Sequence, residues 1–559
     1  MKKLPYGISN YERIVEDNYE YVDKTSYIEK LENLAAPNIM FLRPRKFGKT
    51  LFASVLENYY DIRKKDKFEK LFGETYIGKN PTILKNSYHI LRFNFSGIDT
   101  TTVESTIQGF KNKATESIRE FVTKYGIDFY INENQTAEDI LNSLFISFSL
   151  QKQDGKIYVI IDEYDHFANE LLGFHTGDFR NLVSKNGKVR KWYEILKQGT
   201  ETVVDRIFIT GVAPITLDSL TSGFNVGKDI TRDSEFNAMM GFTENELLNL
   251  MDSQNITKEE QEKIKPIMKE NYDGYKFANK AKDKIYNSNM CLYFLNEYVR
   301  NKEVPERLVD VNIASDYSKL GNMLNLCTGN EKAKVIEKTV SGEGITSDIT
   351  EKFNPAMEFT EKDLVSILYY LGYLTTDSEE FGRPHLVIPN NVMKSIYSDF
   401  FMETLEKETE FGISENQYTD MTREIALDGK ISIITNILQE YLKKLSNRNF
   451  QRFDEKYVKL IFYCISMNLK VYFVKSELEI EGKYPDILLI PRKPEKGYSS
   501  VMVEFKYLKK EEKNKLKETQ KQAKEQVQGY AKLDEIKDIQ NLHKFTVVAV
   551  VDDIYVEEV

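Results

Sequence analysis

NIMFLRPRKFGKTLFASVLENYYD, residues 38–61, joins a short apolar run to an amphipathic one. Ile39 to Leu42 reads as a buried strand and Thr50 to Tyr60 as a helix with one apolar face. Phe47-Gly48-Lys49-Thr50 sits between them in the manner of a phosphate-binding loop. A turn running into a helix N-terminus aims backbone N–H groups at an anion, Gly48 permits close approach, and the helix dipole adds attraction. Arg45, Lys46, Phe47, Gly48, Lys49, Thr50 and Leu51 are therefore the candidate nucleotide-binding residues. Lys49 is expected to reach the β- and γ-phosphates, and the Thr50 hydroxyl to ligate Mg²⁺. Arg43 stands where the usual pattern has glycine.

A second apolar run ends in acids. Lys156-Ile157-Tyr158-Val159-Ile160-Ile161-Asp162-Glu163-Tyr164-Asp165 reads as a central buried strand with carboxylates at its C-terminal end, where ligands sit in open α/β sheets. Asp162 is expected to hold Mg²⁺, and Glu163 to orient and deprotonate the attacking water. Asp165 either adds to the metal field or caps the following helix. Arg206 to Gly211 reads as another strand; Thr210 senses the γ-phosphate or is a hydroxyl at a strand terminus. Arg232 is a candidate for acting in trans on a neighbouring subunit's nucleotide, which would make the protein a homo-oligomer. Asp218 lies in the same region. Before the loop, Tyr19 to Thr25 is either a lid edge over the base or a packed N-terminal strand.

With 559 residues the chain has material for several domains. Hydrophobic content of 41% with 29% charged residues describes a globular protein, and 12% aromatic residues argue against disorder. The net charge of −10 confines any nucleic-acid surface to a local patch. The 3 cysteines, Cys291, Cys327 and Cys464, are too scattered for a disulfide framework or a CxxC metal site, which points to a reducing compartment. No apolar h-region follows Met1-Lys2-Lys3, and no segment has the length of a membrane helix; the expectation is a cytoplasmic protein with no membrane partner.

The C-terminal region carries a second centre. Lys483-Tyr484-Pro485-Asp486-Ile487 takes an acid into an apolar strand, and Val501-Met502-Val503-Glu504-Phe505-Lys506 forms a pairing strand after a turn at Pro491 to Gly497. Alternation sets Glu504 and Lys506 side by side, about 6–7 Å apart along the strand, and the hairpin brings Asp486 beside them. Two carboxylates and a backbone carbonyl suit Mg²⁺. A bound metal would lower the pKa of its water and stabilise charge on a scissile phosphate. Lys506 would position or deprotonate that water, or neutralise the phosphate. Glu455 and then Glu477 are weaker metal-ligand candidates. Lys509, Lys510, Lys513, Lys515, Lys517, Lys521 and Lys524 either track phosphates or form a solvated helix face.

YVDKT, RPRKFGKT, IIDEYD and FITGVAP, followed by NYDGYKF (271–277) and Tyr286-Asn287, together resemble the bacterial AAA-ATPase-like family, whose P-loop domains often carry a C-terminal PD-(D/E)XK nuclease-like domain. The PD…E-x-K arrangement is that domain's signature, and Gln526 and Tyr530, four apart on the helix after it, suit it too. In that family arginine also stands at the position of Arg43. The resemblance implies an α/β protein with an AAA-like parallel sheet at 1–240 and a restriction-endonuclease-like α/β domain at 450–559. Between them the residue pattern reads as a helical lid at 241–300, a winged-helix-like region at 301–402 and a helical connector at 403–449; the middle region has a helix at Glu361 to Leu371, strands at Tyr373 to Thr376 and His385 to Ile388, and a turn at Glu379 to Arg383. It implies ATP and Mg²⁺ as cofactors and nucleic acid, DNA before RNA, as partner. The alternative is a nucleotide-gated regulator or nucleic-acid-binding protein whose nuclease fold does not cleave.

Overall fold

The computed structural model describes residues 1–151, 153–166, 188–214, 227–310, 335–336, 338–340, 342–353, 360–446, 454–476, 485–533 and 536–559. Asp218 and Glu477 lie outside the described residues, as do Lys483 and Tyr484. The chain forms two compact units, residues 1–335 with 345–392, and residues 336–344 with 393–559.

The first unit is built on a parallel five-stranded sheet: β1 (Asn38–Leu42), β2 (Tyr88–Asn94), β3 (Lys156–Asp162), β4 (Val204–Gly211) and the short β5 (Lys228–Asp229), in the order β2-β3-β4-β1-β5. Each residue of β1 is buried, as are Ile157 to Asp162 of β3, as continuous apolar runs require when helices cover both faces of a sheet. The helix Val103–Tyr125 starts at a Thr102–Ser105 capping box and stops at Gly126, whose φ of 67° no β-carbon hinders. Phe93, Phe95 and Phe110 converge on the fully buried Trp192 of the helix Lys188–Gly199. This is the P-loop NTPase arrangement, with β1 leading directly into the helix Lys49–Tyr60.

Three helices follow, Glu244–Ser253, Lys258–Tyr272 and Ser288–Asn301, where a helical lid is expected. The NYDGYKF segment ends the second of these helices and runs on to Tyr275, which bridges antiparallel to Ile285. Gly274 has φ +99°, and a β-carbon there would lie 2.0 Å from the Pro389 carbonyl oxygen. Beyond it, the helix Glu361–Tyr370 precedes β7 (Thr375–Glu380) and β8 (Arg383–Val387), with β6 (Ile345–Thr346) on the far side of β8. The strands run closer to the turn than the sequence predicts, because Phe381 (φ 51°) and Gly382 (φ 80°) make a two-residue left-handed turn. The hairpin tip is acidic, with exposed Asp377, Glu379 and Glu380 around a fully exposed Phe381. That charge disfavours phosphate at this hairpin tip.

The second unit holds a mixed sheet of β9 (Tyr472–Ser476), β10 (Ile487–Pro491), β11 (Ser500–Leu508), β12 (Leu542–Val550) and β13 (Asp553–Glu558) in the order β13-β12-β11-β10-β9. Only β11 and β12 run parallel; the other neighbours are antiparallel. Phe462 of the helix Glu455–Met467 packs edge-on against Phe505 at 5.0 Å. Val527 of the helix Leu516–Tyr530 joins Leu488, Met502 and Ile536 in a separate apolar cluster. The helix Ser432–Ser446, expected as connector, buries Ile434, Leu438, Tyr441 and Leu442 within this unit.

Candidate functional sites

The loop after β1 turns at Lys46 (φ 69°) and Gly48 (φ 96°), two left-handed residues that fold the backbone over the start of the helix Lys49–Tyr60. The Phe47 side chain is only 1% exposed. It is buried against Tyr275 at 4.9 Å and Phe277 at 5.5 Å, and its carbonyl accepts from the Gly241 N–H at 3.0 Å. The Lys46 carbonyl accepts from the Asn289 N–H and the Ser288 hydroxyl, both at 3.3 Å. NYDGYKF and the start of the helix Ser288–Asn301 thus hold the loop in shape.

Arg43 takes up the space that a glycine would leave. Its guanidinium lies between the rings of Phe41 (4.0 Å) and Phe277 (4.2 Å) and donates to the carbonyls of Leu42 and Thr231 at 2.8 Å and of Phe236 at 3.1 Å. It ties β1 to the chain after β5 and takes no part in the pocket.

A cavity of about 460 Å³ opens over the loop. Arg45, Lys46, Gly48, Lys49, Thr50, Leu51 and Glu163 line its polar end. Ile8, Tyr21, Val22, Met239, Met240 and Leu292 give the rest apolar surface, beside Glu20, Lys24 and Asn289. Glu20, Tyr21, Val22 and Lys24 therefore form an edge of the cavity, and Lys24 fastens that edge to the Ala238 carbonyl (2.9 Å) and to Glu246 (2.6 Å) of the helix Glu244–Ser253.

Lys49 donates to the Arg43 and Pro44 carbonyls, both at 2.9 Å. Burial pulls its ammonium down to about 8, against the opposing pull of Glu163, Asp165 and Asp162. Asp162 is fully buried. Its Oδ2 pairs with Arg92 at 3.3 Å, and its Oδ1 has no hydrogen-bond partner. Burial pushes its carboxyl up; Arg92 and the Thr50 hydroxyl oppose that shift. A buried carboxylate oxygen without a donor, beside a hydroxyl, fits a hard cation with oxygen ligands. Glu163 is partly exposed in the cavity at φ 52°, a strained conformation for a residue with a β-carbon, and its Oε2 lies 3.6 Å from His166 Nδ1.

Thr210, Asp165 and Arg232 each engage partners outside the phosphate loop. Thr210 does not reach the cavity; its hydroxyl donates to the Phe41 carbonyl at 2.9 Å, within the β1–β4 pair. Thr210→Val is expected to keep ATP turnover within about threefold and to cost about 1 kcal/mol of stability, read from turnover and a thermal melt. A thirtyfold loss of turnover would return Thr210 to the site. Asp165 accepts the N–H groups of Val212 (3.0 Å) and Ala213 (2.7 Å), so its carboxylate orders the loop after β4. Arg232 pairs with Glu351 at 3.3 Å within its own unit. The reading from sequence missed Arg92, which bridges Glu57 (3.0 Å) and Asp162; its only signal is a charge inside the apolar strand HILRFNF.

In the second unit, β10 and β11 pair with Ile487 opposite Val503, and one further step sets Asp486 opposite Glu504. Both carboxylates are buried. Asp486 Oδ2 accepts the Phe505 N–H at 2.6 Å, while Glu504 Oε1 takes the Lys506 ammonium at 2.8 Å. Glu504 Oε2 is buried with no hydrogen-bond partner. Burial pushes the Glu504 carboxyl up, and Lys506 and Lys459 oppose it. The unpartnered oxygen again fits a divalent cation, with Asp486 and Glu504 as ligands.

Glu455 stands nearby, 3.9 Å from Lys506. Lys459, one helical turn on, contacts both Glu455 (3.1 Å) and Asp486 (2.5 Å) and was not foreseen; its signal is the i, i+4 spacing from Glu455. Among the described residues no three His, Cys, Asp or Glu side chains converge as a metal cage. Tyr530 packs beside Leu488 and Met502, whereas Gln526 is exposed. Of the basic run, Lys513, Lys515, Lys521 and Lys524 pair with acids, as a solvated face does.

Residues 5–221 match the family model described as a predicted AAA-ATPase, AAA-ATPase-like, and residues 453–558 match the PD-(D/E)XK nuclease superfamily. An uncharacterised protein in the vnfD 5′ region of Azotobacter chroococcum mcd 1 is 27% identical over 257 residues, 44% of this chain and 44% of its own length, so the match spans less than half of that relative. The crystal structure of Cdc6p from Pyrobaculum aerophilum aligns over 72% of this chain and 96% of its own at 11% identity, with a TM-score of 0.26. No helix among the described residues is long and apolar enough to cross a membrane.

Proposed function

From a chain that carries an AAA-ATPase-like domain and a PD-(D/E)XK nuclease superfamily domain, we propose an ATP hydrolase whose nucleotide state controls a metal-dependent nuclease acting on DNA. One observation carries both halves: each site keeps a buried carboxylate oxygen without a donor, Asp162 Oδ1 in one and Glu504 Oε2 in the other.

In the first site Lys49 and the loop N–H groups hold the phosphates, and Thr50 and Asp162 hold Mg²⁺. Glu163 takes the proton of the attacking water. Magnesium, when bound, would supply charge neutralisation to the phosphates. In the second site Asp486 and Glu504 would hold a divalent metal, which when bound would supply an acidified water and charge stabilisation at a phosphodiester. Lys506, fixed against Glu504, orients that water or meets the scissile phosphate. Self-association and a cytoplasmic location belong to the same reading.

A second reading has an observation of its own. Lys459 sits on Asp486, so the nuclease fold could serve as a docking module under nucleotide control.

Glu163→Gln tests the proposal. It is expected to keep ATP binding and to slow turnover by at least about 100-fold, trapping the ATP-bound state. Plasmid nicking with Mg²⁺ in that variant should then differ from nicking by the wild type with ADP. Nicking that ignores nucleotide in both proteins would remove the coupling, and competition by labelled RNA would reassign the substrate.

A further inference from the structure

In the second unit the geometry points to Lys459 as a tethered counter-ion that competes with a divalent cation for Asp486. This rests on Asp486 and Glu504 being the metal ligands proposed above.

The two ligands are held differently. Glu504 keeps Oε2 unpartnered, because Lys506 takes only Oε1. Asp486 has both oxygens engaged: Oδ2 by the Phe505 N–H at 2.6 Å, and Oδ1 by the Lys459 ammonium at 2.5 Å. The peptide N–H belongs to β11 and cannot leave without opening the sheet. The ammonium ends a flexible four-carbon stem and can.

Lys459 also has somewhere to go. Glu455 lies 3.1 Å away, one turn back on the same helix, and its side chain is 37% exposed against 2% for Asp486. An ammonium that gives up Oδ1 keeps one carboxylate partner and gains water. Among the described residues the cluster counts three carboxylates, Glu455, Asp486 and Glu504, against two ammoniums, Lys459 and Lys506. A divalent ion entering between Asp486 and Glu504 turns that excess of one negative charge into one positive. Repulsion at such range, in a site little screened by solvent, then drives the movable ammonium outward. Once displaced, it remains at the rim beside Glu455.

The test is binding of Mn²⁺ to the full chain without nucleotide or nucleic acid, with free Mn²⁺ counted by electron paramagnetic resonance. Wild type, Lys459→Met, Asp486→Asn and the double variant are compared. Methionine keeps the length of the stem and suits the helix interior. Lys459→Met is expected to bind Mn²⁺ about tenfold more tightly than wild type or better, because two buried carboxylates lose a competing cation; the double variant should lose that gain. Weaker Mn²⁺ binding by Asp486→Asn, with no gain in Lys459→Met, would overturn the competition and leave the metal centre standing. Binding unaffected by Asp486→Asn in either background would overturn the metal centre, and this inference with it. If Lys459→Met fails to fold by circular dichroism, Lys459→Gln takes its place.

Discussion

Lys49→Ala is expected to weaken ATP binding by about 100- to 1,000-fold, the loss of charge-assisted hydrogen bonds to two phosphates. The ammonium is already in place without nucleotide, because the Arg43 and Pro44 carbonyls hold it at 2.9 Å over the turn. Alanine removes the charge and leaves the loop shape to Phe47 and Lys46, whose contacts with Tyr275, Phe277 and Ser288 do not involve Lys49. The fold should therefore survive, and a thermal melt reads this separately. A pH signature accompanies the change. Burial brings the Lys49 ammonium down to about 8, so in the nucleotide-free protein it is charged below that pH and neutral above it. Phosphate binding favours the charged form, and ATP affinity of the wild type should fall as pH rises through about 8. The variant should lose that dependence. Titration with a fluorescent ATP analogue from pH 6.5 to 9 measures both; an affinity within threefold of wild type would refute the role.

Glu504→Gln is expected to lower Mg²⁺-dependent nicking by about 1,000-fold, since a metal ligand supplies several kcal/mol of transition-state stabilisation. The change is nearly isosteric, and the fold should not suffer. Burial already pushes the Glu504 carboxyl up, which means that the native site carries a penalty for its charge. A neutral amide removes that penalty, so the melting temperature should hold or rise. Lost nicking together with a clear drop in melting temperature would make Glu504 a structural residue. Nicking unchanged from wild type would place the activity in another site.

Both centres were legible in the sequence as far as their geometry is local. The phosphate loop follows from a strand, a turn and a helix within residues 38–61, and the same pieces form it in the fold. The Asp486–Glu504 pair follows from alternation and one hairpin, two rules that act within β10 and β11. What depends on distant partners was not legible. Arg43 bonds a carbonyl 188 residues on, and Arg92 meets an acid 70 residues on. Lys459 reaches Asp486 only because a helix docks on the sheet through Phe462 and Phe505. Thr210 shows the complementary error. A polar residue ending a strand reads as pocket-facing, but its hydroxyl satisfies the neighbouring strand's carbonyl.

The guanidinium of Arg43 has an evolutionary consequence. The carbonyls of Leu42 and Thr231 each accept from it at 2.8 Å, and a buried carbonyl that loses its donor costs about 1–3 kcal/mol; the Phe236 carbonyl keeps the Met239 N–H at 3.2 Å. A single codon change to glycine would therefore not convert this loop into the commoner form; the backbone after β5 would have to rearrange in the same step. Arg43→Gly alone removes the tie between β1 and the chain after β5 and supplies nothing in its place.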